Sequence, residues 1–335
     1  MNRKVYIVTG ANGHLGSTIV RYLERQDYPV RGLLLPSEEN TDREKITYFK
    51  GDITVRGTME DIFSGLEGHD VIVIHAAGLV SIGSEITPAL YDVNVNGTRN
   101  VIAMCRRYGV RRLLYVSSVH AISEGDGLSV IREVNSFPKE AVTGAYGITK
   151  AEATQAVMDA TKDGLDAVIV HPSGILGPFD NGRNHIVQFI RQYLDGKLHG
   201  GVTGGYDLVD VRDVAKGCIA AAERGRSGEC YILSNRYVPI SDLMASMGAA
   251  TGGKVPHCYP LGLVKRIAPL FEWIGKVRHK RPLFTRYSLH MMEANGRFSH
   301  DKATMELGYS PMDIKDSVRD TILYLRGETV DNLLI

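Results

Sequence analysis

Tyr146 and Lys150 stand four residues apart in Tyr146-Gly147-Ile148-Thr149-Lys150, a spacing that puts both side chains on one face of a helix. A tyrosine by itself is a poor acid or base at neutral pH, with an unperturbed pKa of ~10. A lysine ammonium beside it favours the phenolate and lowers that value. The pair is therefore suited to move a proton to or from an oxygen, with Tyr146 as general acid when a carbonyl is reduced and general base when an alcohol is oxidised. A third group should polarise that oxygen, and Tyr115-Val116-Ser117-Ser118-Val119-His120 offers two hydroxyls.

Thr9-Gly10-Ala11-Asn12-Gly13-His14-Leu15-Gly16 carries a different chemistry. It follows an apolar run and opens a helical one. Gly10 permits a tight turn, Gly13 clears a side chain where the backbone must approach a pyrophosphate, and Gly16 lets the helix pack against the strand. Free N–H groups at the helix start favour a negative charge there. Gly10, Asn12, Gly13, His14, Leu15 and Gly16 are the cofactor-binding candidates of this loop.

Both groups need a scaffold. Strands are expected at Val5–Thr9, Val30–Leu34, Ile46–Phe49, Val71–His75, Arg112–Ser117 and Ala167–His171. Several are unbroken Val/Ile/Leu runs, as parallel strands buried on both faces are. Helical stretches fall between them, at Leu15–Arg25, Thr58–Leu66, Leu90–Tyr108 and Ala145–Thr161. The alternation predicts an α/β fold, a doubly wound parallel sheet of Rossmann type with all strand C-termini on one ligand-binding edge. After Pro178 helices dominate: Ile186–Gly196, Val214–Glu223, Ile240–Thr251, Leu261–Lys276 and Ile314–Arg326, with one returning strand, Cys230–Leu233. The expected division is residues 1–178 plus 209–235 for the dinucleotide and 179–208 plus 236–335 for a smaller, mostly helical substrate region.

Composition narrows the partners. Lys+Arg 39 against Asp+Glu 38 among 335 residues gives a net charge of +1, which points to no nucleic-acid partner. The basic cluster Lys276–Arg281 reads as a solvated helix end. No apolar run reaches the ~18 residues of a membrane span. The amphipathic stretch Leu261–Val277 reads as a surface or pocket-covering helix. Cys105, Cys218, Cys230 and Cys258 form no Cys-x-x-Cys pair and are expected as reduced, mostly buried thiols. A strand beginning at Lys4 leaves no room for a signal peptide, so a cytoplasmic location is expected. His75, His120 and His171 all fall at strand ends. His75 and His171 read as structural, while His120 stands between a substrate-pocket role and a loop role. No metal is expected, because a bound dinucleotide brings the hydride.

Taken together, these segments resemble the extended short-chain dehydrogenase/reductase family. Gly51-Asp52-Ile53 after the third strand, His75-Ala76-Ala77-Gly78 at the end of the fourth, Asn94-Val95-Asn96-Gly97-Thr98 and Leu307-Gly308-Tyr309-Ser310-Pro311 extend the likeness over about residues 4–325. The resemblance implies that Asp52 meets adenine beside Ile53, and that Ala76, Ala77 and Gly78 line the cofactor. It assigns Pro172, Ser173, Gly174 and Ile175, after the sixth strand, to the same cleft. It selects Ser118 as the catalytic hydroxyl, with Ser117 as fallback, and gives Lys150 the nicotinamide ribose to hold. The second strand ends Leu33-Leu34-Leu35-Pro36-Ser37, without an acidic residue to bond a ribose 2′-OH and without an arginine for a 2′-phosphate. Because the repelling carboxylate is missing there, NADP(H) is expected, with NAD(H) as the alternative.

Within the family, nucleotide-sugar dehydratases resemble one another in a Thr-Asp-Glu where this chain has Ser118-Val119-His120. Epimerases carry an asparagine after the sixth strand, and an arginine where this chain has Gly205-Tyr206-Asp207. A guanidinium fork is the natural clamp for a diphosphate, and a phenol is not. Leu208–Ala215 and Pro282–Arg286 are similar to the branch of dihydroflavonol reductases and 3β-hydroxysteroid dehydrogenases, with Asp213 expected to cap a helix starting at Val214. The implied reaction is NAD(P)(H)-dependent reduction of an aldehyde or ketone, or its reverse, on a mainly apolar small molecule. A nucleotide-sugar epimerase and a non-catalytic NADP-sensing regulator are the alternatives. Relatives pair through the helices near 90–108 and 145–161, so a homodimer and a monomer both stay open.

Overall fold

A computed structural model describes residues 3–39, 45–125, 127, 129–182, 184–264, 266 and 296–328. The helix expected over Leu261–Lys276 is described only at its start, where 261–264 are helical. The Lys276–Arg281 cluster and Pro282–Arg286 lie outside the described residues. The elements run β1 Lys4–Thr9, α1 His14–Arg25, β2 Val30–Leu34, β3 Ile46–Lys50, α2 Glu60–Phe63, β4 Asp70–His75, α3 Pro88–Tyr91, α4 Gly97–Arg107, β5 Arg112–Val116 and α5 Ala145–Lys162. They continue with β6 Ala167–Pro172, β7 Gly174–Leu176, α6 His185–Leu194, β8 Gly201–Val202, β9 Gly205–Asp210, α7 Val211–Arg224, β10 Cys230–Leu233, β11 Arg236–Pro239, α8 Ile240–Thr251, β12 Cys258–Tyr259, α9 Asp301–Leu307 and α10 Ile314–Leu325.

Seven parallel strands form the main sheet in the order β10-β6-β5-β4-β1-β2-β3. Because side chains alternate along a strand, its continuous apolar runs feed two separate cores. Val5, Ile7, Val71, Val73, Leu113 and Ile169 pack on the side of α4 and α5. Tyr6, Val8, Ile72, Ile74, Leu114 and Val168 pack on the side of α1 and α7. The chain order reverses between β1 and β4, and the loops leaving those two strands open the crevice that such sheets use for ligands. A small sheet, β11-β9-β7, and a third core built from α6, α8 and α10 lie beyond it.

Three expectations are corrected in detail. The long helix over Leu90–Tyr108 is divided: a π turn, Asp92–Asn96, separates α3 from α4. That wide turn carries Asn94, whose side chain leaves the helix to bond the loop after β4. The Thr58–Leu66 stretch becomes a 3-10 turn, Arg56–Met59, followed by the short α2. The helix expected from Val214 starts at Val211, and Asp210 rather than Asp213 caps it, accepting from the Arg212 amide at 2.7 Å. Asp213 accepts instead from the Met312 amide at 2.8 Å. Around that cap, Arg212 is buried and bonds Asp210 and Asp320, tying α7 to α10.

Candidate active site

The turn after β1 is as tight as its glycines allow. Gly10 has φ +67, and a Cβ on it would stand 2.8 Å from the Ala77 Cα. A Cβ on Gly16 would stand 2.0 Å from the Gly10 carbonyl oxygen. Gly13, the N-cap of α1, offers no side chain to its first turn, and no acidic residue stands in that turn. The amides of His14, Leu15 and Gly16 thus begin a twelve-residue helix whose first turn carries no carboxylate of its own. Positive dipole, free amides and a turn with no side chain at Gly13 fit a dinucleotide pyrophosphate.

Neighbouring segments brace this turn. The Asn12 carbonyl accepts from Asn181 at 2.7 Å. Both ring nitrogens of His14 are engaged: Nε2 with the Pro178 carbonyl at 2.9 Å and Nδ1 with Asn184 at 3.1 Å. Burial holds that ring's pKa below the ordinary value, which suits one donating and one accepting nitrogen. His14's side chain is therefore a latch, and its backbone is what remains for a ligand. Thr9 Oγ1 accepts from the Ala77 amide at 3.2 Å, joining the two loops at the crevice.

The other cofactor candidates are less uniform. Asp52 and Ile53 lie just past β3. Asp52 Oδ1 accepts from the Thr54 amide and hydroxyl, each at 2.8 Å. Ile53 is buried against Gly97, so its part in the site is packing. Gly78 faces Lys150, since a Cβ there would lie 3.5 Å from Nζ. Pro172 ends β6, Ser173 donates its amide to Leu233 at 3.2 Å, and Gly174 and Ile175 start β7. All lie at the C-terminal edge of the strands. Glu38 is the residue sequence reasoning passed over: its Oε2 accepts from the Leu35 amide at 3.0 Å, which brings a carboxylate back to the end of β2.

Ser118, Tyr146 and Lys150 come together at the end of β5. Gly147 makes this approach feasible, because a Cβ there would be 2.8 Å from the His120 carbonyl oxygen. Ser118 Oγ accepts from the His120 amide at 3.2 Å and stands beside the Tyr146 phenol. The fallback, Ser117, is instead committed to Thr154 at 2.6 Å. Lys150 Nζ donates to the Val116 carbonyl at 2.8 Å, so the ammonium points at the strand end.

Burial governs the charges. It lowers Lys150 to about 7. It raises Tyr146 to about 12, with the Ser118 hydroxyl working the other way. The lowering of Tyr146 expected from a neighbouring ammonium is not what this geometry gives, because Lys150's donors are turned to β5 and desolvation of the phenolate dominates.

The three histidines divide. His75 bridges Thr9 at 2.7 Å and Thr98 at 3.1 Å and is wholly buried. His171 Nδ1 bonds the Ser118 carbonyl at 2.9 Å while its ring stacks on Phe137. His120 meets the Tyr146 ring edge-on at 5.9 Å and lines a small pocket with Val119, Ile122, Ile131, Val142 and Phe298, to which Glu124 and Thr143 add polar groups. Asn94 was visible in the sequence only as a family motif; here it fixes the loop after β4 to Thr149 of α5. Among the described residues no group of His, Cys, Asp and Glu is arranged to hold a metal. None of their helices is long and apolar enough to cross a membrane.

A parallel sheet with this crevice, and a tyrosine–lysine helix beside it, defines an extended short-chain dehydrogenase/reductase, an enzyme class acting on CH–OH and C=O carbons with a nicotinamide dinucleotide. Residues 6–234 match the NAD dependent epimerase/dehydratase family, and the chain belongs to that family. It is 32% identical over 330 residues to a Synechocystis sp. protein with a provisional dihydroflavonol 4-reductase name, covering 96% of this chain and 94% of that one. It is 26% identical to the decarboxylating sterol-4-alpha-carboxylate 3-dehydrogenase of Schizosaccharomyces pombe, covering 95% and 96%. The fold is also that of UDP-glucose 4-epimerase from Thermotoga maritima, with TM-score 0.75, 21% identity, and coverage of 96% of this chain and 99% of that one.

Proposed function

We propose that the protein is an NAD(P)(H)-dependent oxidoreductase that reduces an aldehyde or ketone, or oxidises the matching alcohol, on a small and mainly apolar molecule. The observation that carries this reading is the Ser118–Tyr146 hydroxyl pair at the end of β5, beside a small pocket lined by both apolar and polar side chains. When bound, the nicotinamide supplies or takes the hydride. Residues 1–178 plus 209–235 would hold the dinucleotide and 179–208 plus 236–335 the substrate side.

The chain's own groups have distinct tasks. Ser118, whose oxygen already accepts from the His120 amide, would turn its proton from the phenol to a substrate oxygen. Tyr146 then delivers its phenolic proton to that oxygen in reduction, or withdraws it in oxidation. The Lys150 ammonium, held at the end of β5 by the Val116 carbonyl, would orient the ribose of the bound dinucleotide. His120 stays neutral, since burial brings it to about 4, and shapes the pocket next to Tyr146. As for cofactor choice, the expectation of NADP(H) rested on the lack of an acidic group at the end of β2. Glu38 returns one to that place, which favours NAD(H).

The test is absorbance loss of NADH and of NADPH, separately, with aromatic, aliphatic and steroid carbonyls. Turnover is expected, and Tyr146→Phe should abolish it while binding of the dinucleotide stays near normal. Near-normal turnover in that variant would sink the assignment.

A further inference from the structure

Beneath Lys150 lies a residue for which the reaction above has no use. Tyr115, in β5, is wholly buried. Lys150 Nζ stands 4.9 Å from its ring centroid and donates to its hydroxyl at 3.4 Å. An ammonium has three N–H groups. The end of β5 engages two, through the Val116 carbonyl and the Tyr115 phenol. The third is left for the side that Gly78 keeps clear.

The phenol has a polar, fixed surrounding. Its hydroxyl lies beside the Thr98 and Thr154 side chains. Thr98 leads to His75 and Thr9, and Thr9 to the Ala77 amide. Thr154 leads to Ser117 and to the Lys150 carbonyl. Thr9, His75, Thr98, Tyr115, Ser117 and Thr154 are all buried. A hydrogen-bond chain that starts and ends inside the protein fixes positions; it does not carry protons to water.

We propose that Tyr115 is a positioning residue for Lys150: its ring face and hydroxyl hold the ammonium at the end of β5 and aim it at the cofactor side of the site. The inference rests on the reading of Tyr146 and Lys150 given above. The other titratable groups around Lys150 are His75 on β4, His171 on β6 and Tyr146 on its own helix. Burial brings the two imidazoles to about 3 and about 4, so neither titrates where Lys150 does.

The experiment is a profile of kcat/KM for carbonyl reduction against pH, in wild type, Tyr115→Phe and Tyr146→Phe. Tyr115→Phe keeps the ring and removes one acceptor of the ammonium, which favours the neutral amine. The alkaline limb is expected to move down by about one pH unit, with kcat several-fold lower on that limb. A purely structural role would lower the melting temperature and leave the limb in place, and a folded Tyr115→Phe with an unmoved limb overturns the proposal. If that variant does not fold, Thr98→Val, which removes a polar neighbour of the phenol, should shift the limb the same way; an unmoved limb there overturns it as well. Loss of turnover in Tyr146→Phe beside an unmoved limb defeats the Tyr115 role alone. Retained turnover in Tyr146→Phe defeats the underlying site and the Tyr115 role with it.

Discussion

Lys150→Met should cost the enzyme its activity and yet make the protein without cofactor more stable. Burial takes the lysine from an ordinary 10.5 to about 7, and each pH unit between those values is worth ~1.36 kcal/mol. At pH 7 the cost of keeping this side chain inside is therefore on the order of 4 kcal/mol. Methionine fills similar volume without a charge, but it leaves the Val116 carbonyl without its donor, a loss of about 1–2 kcal/mol. A net gain of about 2 kcal/mol follows, which raises Tm by roughly 3 °C for a chain of this size. The pH dependence fixes the cause. Between about 7 and 10.5 the unfolded chain keeps a proton on this lysine that the folded chain has released, so wild-type stability rises with pH through that window. The advantage of Lys150→Met should be full below pH 7 and gone above about 10.5. Thermal melts of both proteins from pH 6 to 10.5, without dinucleotide, measure it. A variant less stable than wild type at pH 7, or an advantage independent of pH, would refute the reasoning.

Two further outcomes follow from the cofactor cleft. Gly16→Ala places a Cβ 2.0 Å from the Gly10 carbonyl oxygen, so α1 must move and NADH affinity, read by fluorescence titration, should fall at least tenfold. Gly57→Ala, with nothing within 4 Å, is the control and should bind as wild type does. Glu38→Gln removes the charge that the Leu35 amide holds at the end of β2. It should shift the NADPH-to-NADH ratio of kcat/KM about tenfold towards NADPH, equivalent to ~1.4 kcal/mol; an unchanged ratio would show that Glu38 does not discriminate.

The main sheet was legible because its strands are buried on both faces. Val71–His75 and Ala167–His171 read as uninterrupted apolar runs, and a helix cannot use such short ones. The small β11-β9-β7 sheet was not, because β7 is three residues including Gly174 and β11 contains Pro239. Such strands carry no periodic signal of their own and are held by register with β9. The site divides in the same way. Glycines and the Tyr146–Lys150 spacing express backbone geometry, which sequence records directly. What it did not record were side chains that turn back on the chain: Glu38 to Leu35, Asn94 out of its π turn, and Asp210 rather than Asp213 onto the start of α7. Each depends on a few degrees of local backbone that composition does not specify.

Two buried cations in this fold show how the same kind of group serves structure or chemistry. Arg212 lies among Asp210 and Asp320, with bonds of 2.8 Å to each and Ser317 adding to Asp210. Those carboxylates push its pKa up despite burial, so it never loses its charge and serves only to hold α7 against α10. Lys150 is as deeply buried, but its described partners are a carbonyl, a phenol and a ring face. These hold an ammonium in place without neutralising it, and burial leaves it about half-charged near neutral pH. A carboxylate beside Lys150 would hold it permanently charged, as Asp210 and Asp320 hold Arg212. Without one among its described partners the charge is kept at the expense of stability, and that is the quantity the Lys150→Met melts would measure.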